Sequence, residues 1–268
     1  MNPAWRARYE LALTATRQAG QLARRYFTAT TLDVEQKTDR TPVTIADREA
    51  EALLRGVILD AFPDDGFLGE ESGDQPGTSG YRWIIDPIDG TKSFIRRIPL
   101  WATLVGLEYK GEIIAGIVYM PEMDRLYHAL RGEGAYLQDR KLRVSAVEQL
   151  DHALLCYSSM RWFLEAGKEA VFLELVRRTD RQRGYGDFYG FVLVAEGAAD
   201  LMVDHGLSPW DIAALVPIVA EAGGQITDWQ GQTTIHSSAV LASNGRLHPA
   251  ALAVLQGNST GSSANGHF

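Results

Sequence analysis

The stretch Arg82-Trp83-Ile84-Ile85-Asp86-Pro87-Ile88-Asp89-Gly90-Thr91 runs from an apolar strand pattern straight into two carboxylates. Pro87 restricts the backbone between the acids, and Gly90 permits a sharp turn after them. Such a turn can aim Asp86, Asp89 and the Ile88 carbonyl at one point. Oxygen atoms gathered in this way suit a hard cation such as Mg2+, which keeps positions open for water and phosphate. Two more acidic stretches share the pattern. Gly69-Glu70-Glu71-Ser72 follows an apolar run, and Trp210-Asp211-Ile212-Ala213-Ala214 opens an apolar helix. Glu70 can bridge a second ion. Crowded carboxylates repel one another unless cations lie between them.

Taken singly, each acid also has a plainer reading. Asp86 and Asp89 fit ordinary turn formers, Glu70 and Glu71 a solvated pair, and Asp211 a helix cap. Thr44-x-x-Asp47 fits a capping box.

Around these stretches the periodicity changes along the chain. Residues 4–27 carry Trp5, Tyr9, Leu13, Thr16, Ala19, Leu22, Ala23, Tyr26 and Phe27 at helical spacing. A charged stretch, 37–42, follows. A second helix is expected from Thr44 and Asp47 to about Phe62, stopped by Pro63-Asp64-Asp65-Gly66. Short apolar runs at 67–69, 82–85, 102–109, 113–120, 126–130 and 135–137 then predict strands. The turns Lys110-Gly111 and Arg131-Gly132-Glu133-Gly134 between them predict an antiparallel meander. After about residue 150 strands and helices alternate, with one helix expected over 162–178, another over 188–196 and a third over 211–222. The expected organisation is an N-terminal half (1–145) with most of the candidate ligands, a C-terminal α/β half (146–256) supplying Asp211, and a disordered polar tail (257–268).

Bulk properties exclude several classes. The chain has 268 residues, a formal charge of −8 and a pI near 5.3. No Lys/Arg stripe offers a footprint for nucleic acid. No run reaches the roughly 18 apolar residues of a membrane span. An acidic protein facing a phosphate ester needs cations. The one cysteine, Cys156, sits in an apolar strand pattern and cannot form an internal disulfide; with no apolar signal core in the first residues, the cytoplasm is expected. The six histidines are not spaced as ligands, and no Gly-x-Ser-x-Gly elbow occurs, so serine-hydrolase chemistry is not expected. His128 and His205 read as packing or surface residues. Trp162 and Phe163 fit either the core or the contact of a homodimer.

The three acidic stretches, in this order, resemble the inositol monophosphatase family: a Glu-Glu pair, then Asp-Pro-Ile-Asp-Gly-Thr, then Trp-Asp. The resemblance covers roughly residues 5–256 and implies a layered αβαβα sandwich, combining the α+β and α/β patterns above. It implies that Glu70, Asp86, the Ile88 carbonyl, Asp89 and Asp211 hold two or three Mg2+ ions. Glu70 and Thr91 would activate the attacking water, with Asp47 as the hydrogen-bond partner of Thr91. Gly90 and Thr91 amides would hold phosphate, and Glu71 would stand behind the ligands. Ser93 replaces an Asn common in the motif.

Thr41-Pro42-Val43-Thr44-Ile45-Ala46-Asp47-Arg48, Pro99-Leu100-Trp101-Ala102-Thr103 and Tyr185-Gly186-Asp187-Phe188 look like the histidinol-phosphatase branch. That resemblance sets Asp187 and Asp204 beside the leaving group, where carboxylates suit a cationic substrate. The branch commonly carries Glu where this chain has Asp204. Glu196 is expected to face solvent. The implied activity is Mg2+-dependent hydrolysis of histidinol phosphate, a step of histidine biosynthesis. Alternatives are an inositol-1-phosphatase, a broad sugar-phosphate phosphatase, or a non-catalytic binding protein on the same scaffold.

Overall fold

The computed structural model describes residues 2–29, 34–36 and 42–258. The charged residues 37–41 and the tail from residue 259 lie outside the described residues. Gly257 and Asn258 donate their amides to Val254 and Ala253 at the end of the last helix.

Two helices lead the chain. Helix α1 (Pro3–Thr28) starts on an Asn2 cap, and its Ala12, Ala15, Ala19 and Ala23 make a flat buried stripe. Strands β1 (Val34–Gln36) and β2 (Pro42–Thr44) form a small antiparallel pair. Helix α2 (Ile45–Ala61) begins at Thr44, where the expected capping box forms.

Next come β3 (Gly66–Gly69), β4 (Gly73–Gln75), β5 (Tyr81–Asp89), a short helix α3 (Thr91–Ile95), β6 (Ala102–Tyr109), β7 (Glu112–Met120), β8 (Arg125–Leu130), β9 (Gly134–Leu137) and β10 (Arg140–Lys141). They build an eight-stranded sheet of order β10-β9-β8-β7-β6-β5-β3-β4. The meander from β5 onward is antiparallel as expected, while β3 pairs parallel to β5. The edge strands β4 and β10 escape the sequence pattern because they are short and polar.

The second half contains β11 (Leu154–Tyr157), α4 (Met160–Glu165), α5 (Glu169–Arg178), β12 (Arg181–Arg183), α6 (Asp187–Glu196), β13 (Leu201–His205), α7 (Pro209–Ala213), α8 (Leu215–Glu221), β14 (Gln225–Asp228), β15 (Ala239–Ser243) and α9 (His248–Leu255). Its five-stranded sheet has the order β12-β11-β13-β15-β14. It is parallel across β12-β11-β13 and antiparallel across β13-β15-β14, so this half is mixed rather than purely alternating. Two expected helices are each broken in two. Gly167 takes φ 63° between α4 and α5, a conformation that ends a helix. The 211–222 helix starts earlier, at Pro209, and divides at Ala214.

The layers follow from which face each side chain occupies. Val105, Ile117, Ile85 and Leu107 pack with α1 and α2 on one face of the large sheet. Their alternates Leu104, Val118 and Ile84 pack on the other, with Ile212, Leu215, Ile218 and Phe191 of α6–α8. That middle layer also meets Cys156, Met202 and Ala242 of the second sheet. Phe163, Phe172 and Leu175 cover the outer face of the second sheet. The result is the αβαβα sandwich implied by the resemblance, with both sheets buried on both faces.

For Phe163 the core alternative holds, and for Glu196 the expectation is corrected. Phe163 is fully buried, stacking on Phe172 at 4.5 Å and Trp229 at 5.8 Å, so it is not an interface residue. Glu196 does not face solvent: Arg125, Arg140 and the Tyr127 hydroxyl all converge on its carboxylate.

Glycine fixes the spacing between the large sheet and the middle layer. A Cβ at Gly106 would lie 2.6 Å from the Ala213 Cβ, and one at Gly116 would overlap the Ala214 carbonyl. The α7–α8 backbone therefore rests directly on β6 and β7, which carries Asp211 to the end of β5.

Candidate metal centre

Strand β5 ends in a register shift between Asp86 and Asp89, which lets two acids three positions apart leave the sheet on one side. Asp86 Oδ1 accepts the Ile88 amide at 3.0 Å. The Pro87 carbonyl turns the other way and takes the Thr103 hydroxyl at 2.9 Å. Gly90 follows with φ 87°, a conformation that costs other residues energy, and caps α3.

Asp211 enters from α7. Its Oδ2 accepts the Ser208 amide at 2.7 Å, so the helix-cap reading holds as well. Its carboxylate nevertheless joins those of Asp86 and Asp89: each of the three offers an oxygen, all within 4.8 Å of one another. Asp89 Oδ2 accepts the Phe188 amide at 2.7 Å, which ties the end of β5 to the start of α6.

Electrostatics draws in the other predicted residues. Burial, then the charges of Glu70, Asp89 and Asp211, hold Asp86 well above the usual carboxylate range. Burial, then Asp187 and Asp211, do the same to Asp89. Asp211 is pushed up to about 7 by burial and Glu70, against the Ser208 amide. Asp47 rises to about 7 through burial and the charges of Glu71 and Glu70, opposed by its bonds to Thr44. Four acids raised together, with only oxygen donors among them, form a set that a hard divalent cation fits and would stabilise.

Not every expected contact forms. Asp47 Oδ2 takes the Thr44 amide at 2.8 Å and the Thr44 hydroxyl at 2.6 Å. The Thr91 hydroxyl donates to the Ile88 carbonyl at 3.0 Å rather than to Asp47. Glu70 lies outside the three-carboxylate group but acts on it as a neighbouring charge, and Glu71 is half-buried beside Asp47.

Beyond the cluster lie Asp187 and Asp204. Asp187 adopts φ 52°, left-handed backbone that Asp tolerates better than most residues. Burial raises its pKa, opposed by the Lys92 ammonium and by Ser158. Asp204 is 1% exposed; its Oδ1 accepts the His205 amide at 2.8 Å, its Oδ2 makes no close hydrogen bond among the described residues, and the Ser158 hydroxyl stands near enough to favour its charge. Burial, with Asp187 and Asp211 nearby, lifts it well above the usual range. Lys92, Ser158 and the Phe188 amide were not singled out by sequence. Lys92 follows Thr91 directly and was the one with a signal; the other two are brought in by the fold. Lys92 also stands over the Trp162 ring at 5.2 Å.

Comparison with known proteins gives a consistent picture. The sequence profile of the Inositol monophosphatase family matches residues 5–260. A histidinol-phosphatase from Chlorobaculum parvum is 42% identical over 226 residues, covering 84% of this chain and 87% of that protein. An inositol-1-monophosphatase from Rhizobium meliloti is 38% identical, covering 78% and 80%. The crystal structure of the extragenic suppressor protein suhB from Bartonella henselae superposes with a TM-score of 0.87 at 32% identity, covering 93% of this chain and 98% of that one.

Proposed function

Because this chain belongs to the inositol monophosphatase family and is a phosphoric monoester hydrolase, we propose that it hydrolyses histidinol phosphate to histidinol and phosphate, using Mg2+. The observation that carries the substrate is the pair Asp187 and Asp204, two carboxylates beyond the metal cluster that burial raises together and that share only the Ser158 hydroxyl and the Lys92 ammonium as neighbouring side-chain partners among the described residues. A neutral polyol gives such groups nothing to neutralise. Histidinol phosphate brings an ammonium and an imidazole, and charge-assisted hydrogen bonds to these would satisfy both acids.

Glu70, Asp86, the Ile88 carbonyl, Asp89 and Asp211 would hold two or three Mg2+ ions. Bound there, the ions supply positive charge against the phosphate and acidify water. The chain's own part is orientation and proton handling. Asp86 and Asp89 are held rigid by the Ile88 and Phe188 amides. The Thr91 hydroxyl would orient the attacking water and the Glu70 carboxylate would take its proton, with Asp47 fixing the segment before α2 and Glu71 behind it. The Gly90 and Thr91 amides would receive phosphate oxygens.

A second reading, inositol 1-phosphate or a broader range of sugar phosphates, is favoured by Lys92, which offsets part of the negative charge at Asp187. Steady-state kcat/KM on histidinol phosphate and inositol 1-phosphate, measured side by side with Mg2+, separates the two. Higher kcat/KM on inositol 1-phosphate would overturn the substrate assigned here. No phosphate release from either at any Mg2+ concentration would instead favour a binding role.

A further inference from the structure

Glu51 lies one helical turn beyond Asp47 on α2, on the face that also buries Ala46, Ala50, Leu54 and Ile58. It is 2% exposed. Buried carboxylates are rare unless paired, and this one is received by main chain. Its Oε2 accepts the Glu71 amide at 2.9 Å and its Oε1 accepts the Ser72 amide at 2.7 Å. Gly69 closes the arrangement from the other side, because a Cβ there would overlap the Glu51 carboxyl group.

The residue enclosed by these contacts is Glu70. Its own amide donates to the Ile85 carbonyl at 3.2 Å, on the strand that carries Asp86. The Glu70 side chain is only half-buried, and it faces the like charges of Asp86, Asp211 and Asp47. Repulsion of this kind drives an unanchored acid outward into solvent. The loop resists because it is fastened to β5 on one side and to the Glu51 carboxylate on the other.

We propose that Glu51 is a positioning residue that fixes the Glu70-Glu71 turn beside the Asp86, Asp89 and Asp211 carboxylates, and so sets the affinity of the centre for a divalent cation. Each of two consecutive N–H groups here has its own oxygen of the Glu51 side chain. A carboxylate supplies both, while an amide offers one oxygen and turns an NH2 against the other donor. The inference rests on the reading of Glu70 as a metal ligand.

Calorimetric titration of Mn2+ into the metal-free folded protein tests it, with circular dichroism to establish folding. Glu51→Gln should weaken Mn2+ binding by about tenfold or more, the size expected when a partner of a ligand is lost, and leave the spectrum unchanged. Gly69→Ala displaces the same carboxylate from the opposite side and should weaken Mn2+ binding likewise; it carries the test if Glu51→Gln does not fold. With excess Mn2+ both variants should recover turnover, which general loosening of the fold would not allow. Glu70→Gln is the control. If it weakens Mn2+ binding while the folded Glu51 and Gly69 variants bind as the parent does, the role given to Glu51 is wrong. If Glu70→Gln also binds as the parent does, Glu70 is not a ligand and the inference falls with that reading.

Discussion

The Phe188 amide donates to Asp89 Oδ2 at 2.7 Å, joining the last residue of β5 to the first turn of α6 across the interface between the two halves. Asp89 thus has one oxygen tied to main chain while its carboxylate borders those of Asp86 and Asp211. Asparagine at this position keeps an oxygen for the Phe188 amide and loses the charge. Asp89→Asn should therefore fold, with a metal-free melting temperature no lower than the parent's, since like-charge repulsion is relieved. Turnover should fall about a hundredfold or more, and Mg2+ should raise the melting temperature of the parent but not of the variant. Near-parental turnover in the purified variant would exclude Asp89 as a ligand.

Asp204 offers a test of leaving-group recognition. Its Oδ2 makes no close hydrogen bond among the described residues, and asparagine keeps an oxygen for the His205 amide, so Asp204→Asn removes charge with little loss of internal bonding. On histidinol phosphate kcat/KM should drop about tenfold or more, the equivalent of one charge-assisted hydrogen bond. On inositol 1-phosphate the change should be small. Equal losses on both substrates would mean that Asp204 only supports the fold.

At Gly116 the fold and the site meet. A Cβ there overlaps the Ala214 carbonyl, so Gly116→Ala must push α7–α8 off the sheet and move Asp211 with it. Overpacking of this kind costs about 1–3 kcal/mol, measurable by urea unfolding. A fall in kcat beyond what the remaining folded fraction accounts for is expected as well. Full activity in a destabilised variant would show that Asp211 tolerates displacement.

His248 predicts an acid-labile fold. It is 2% exposed, with Nε2 against the Thr227 hydroxyl and Nδ1 against the Ser243 hydroxyl, both at 2.9 Å. Burial pushes its pKa down to about 4, from about 6.5 in the unfolded chain. The unfolded state therefore binds the proton first. Stability is complete above pH 6.5, is lost as pH falls towards 4, and levels off below that. The full loss is about 3–4 kcal/mol, of which about 2–3 kcal/mol falls between pH 7 and about pH 4.5. The difference in unfolding free energy between pH 7 and pH 4.5 should shrink by roughly that amount in His248→Gln. Comparing variant with parent cancels the titration of the acidic cluster. An unchanged difference would mean that His248 is protonated in the folded protein.

The sequence by itself determined which chemistry was available. The short apolar runs of β5–β9, separated by tight turns, predicted the strands of an antiparallel meander. Asp86-Pro87-Ile88-Asp89-Gly90 could leave its strand by a sharp turn that aims both acids at one point. These are local constraints, set by steric limits at Pro87 and Gly90 and by the period of the chain. The break at Gly167 was also local, though the apolar run around it masked the signal. Glu51 had left a trace too, as a charge on the buried face of α2, but nothing local says what such a charge receives. Only tertiary structure decided that Asp211 reaches Asp86 because Gly106 and Gly116 let two backbones touch. It alone decided that the Phe188 amide holds Asp89 and that Thr91 turns to Ile88, whereas the bond of Asp47 to Thr44 was local and legible as a capping box. The reason is that burial and Coulomb repulsion depend on distance through space, and the acids that raise one another's pKa here are far apart along the chain.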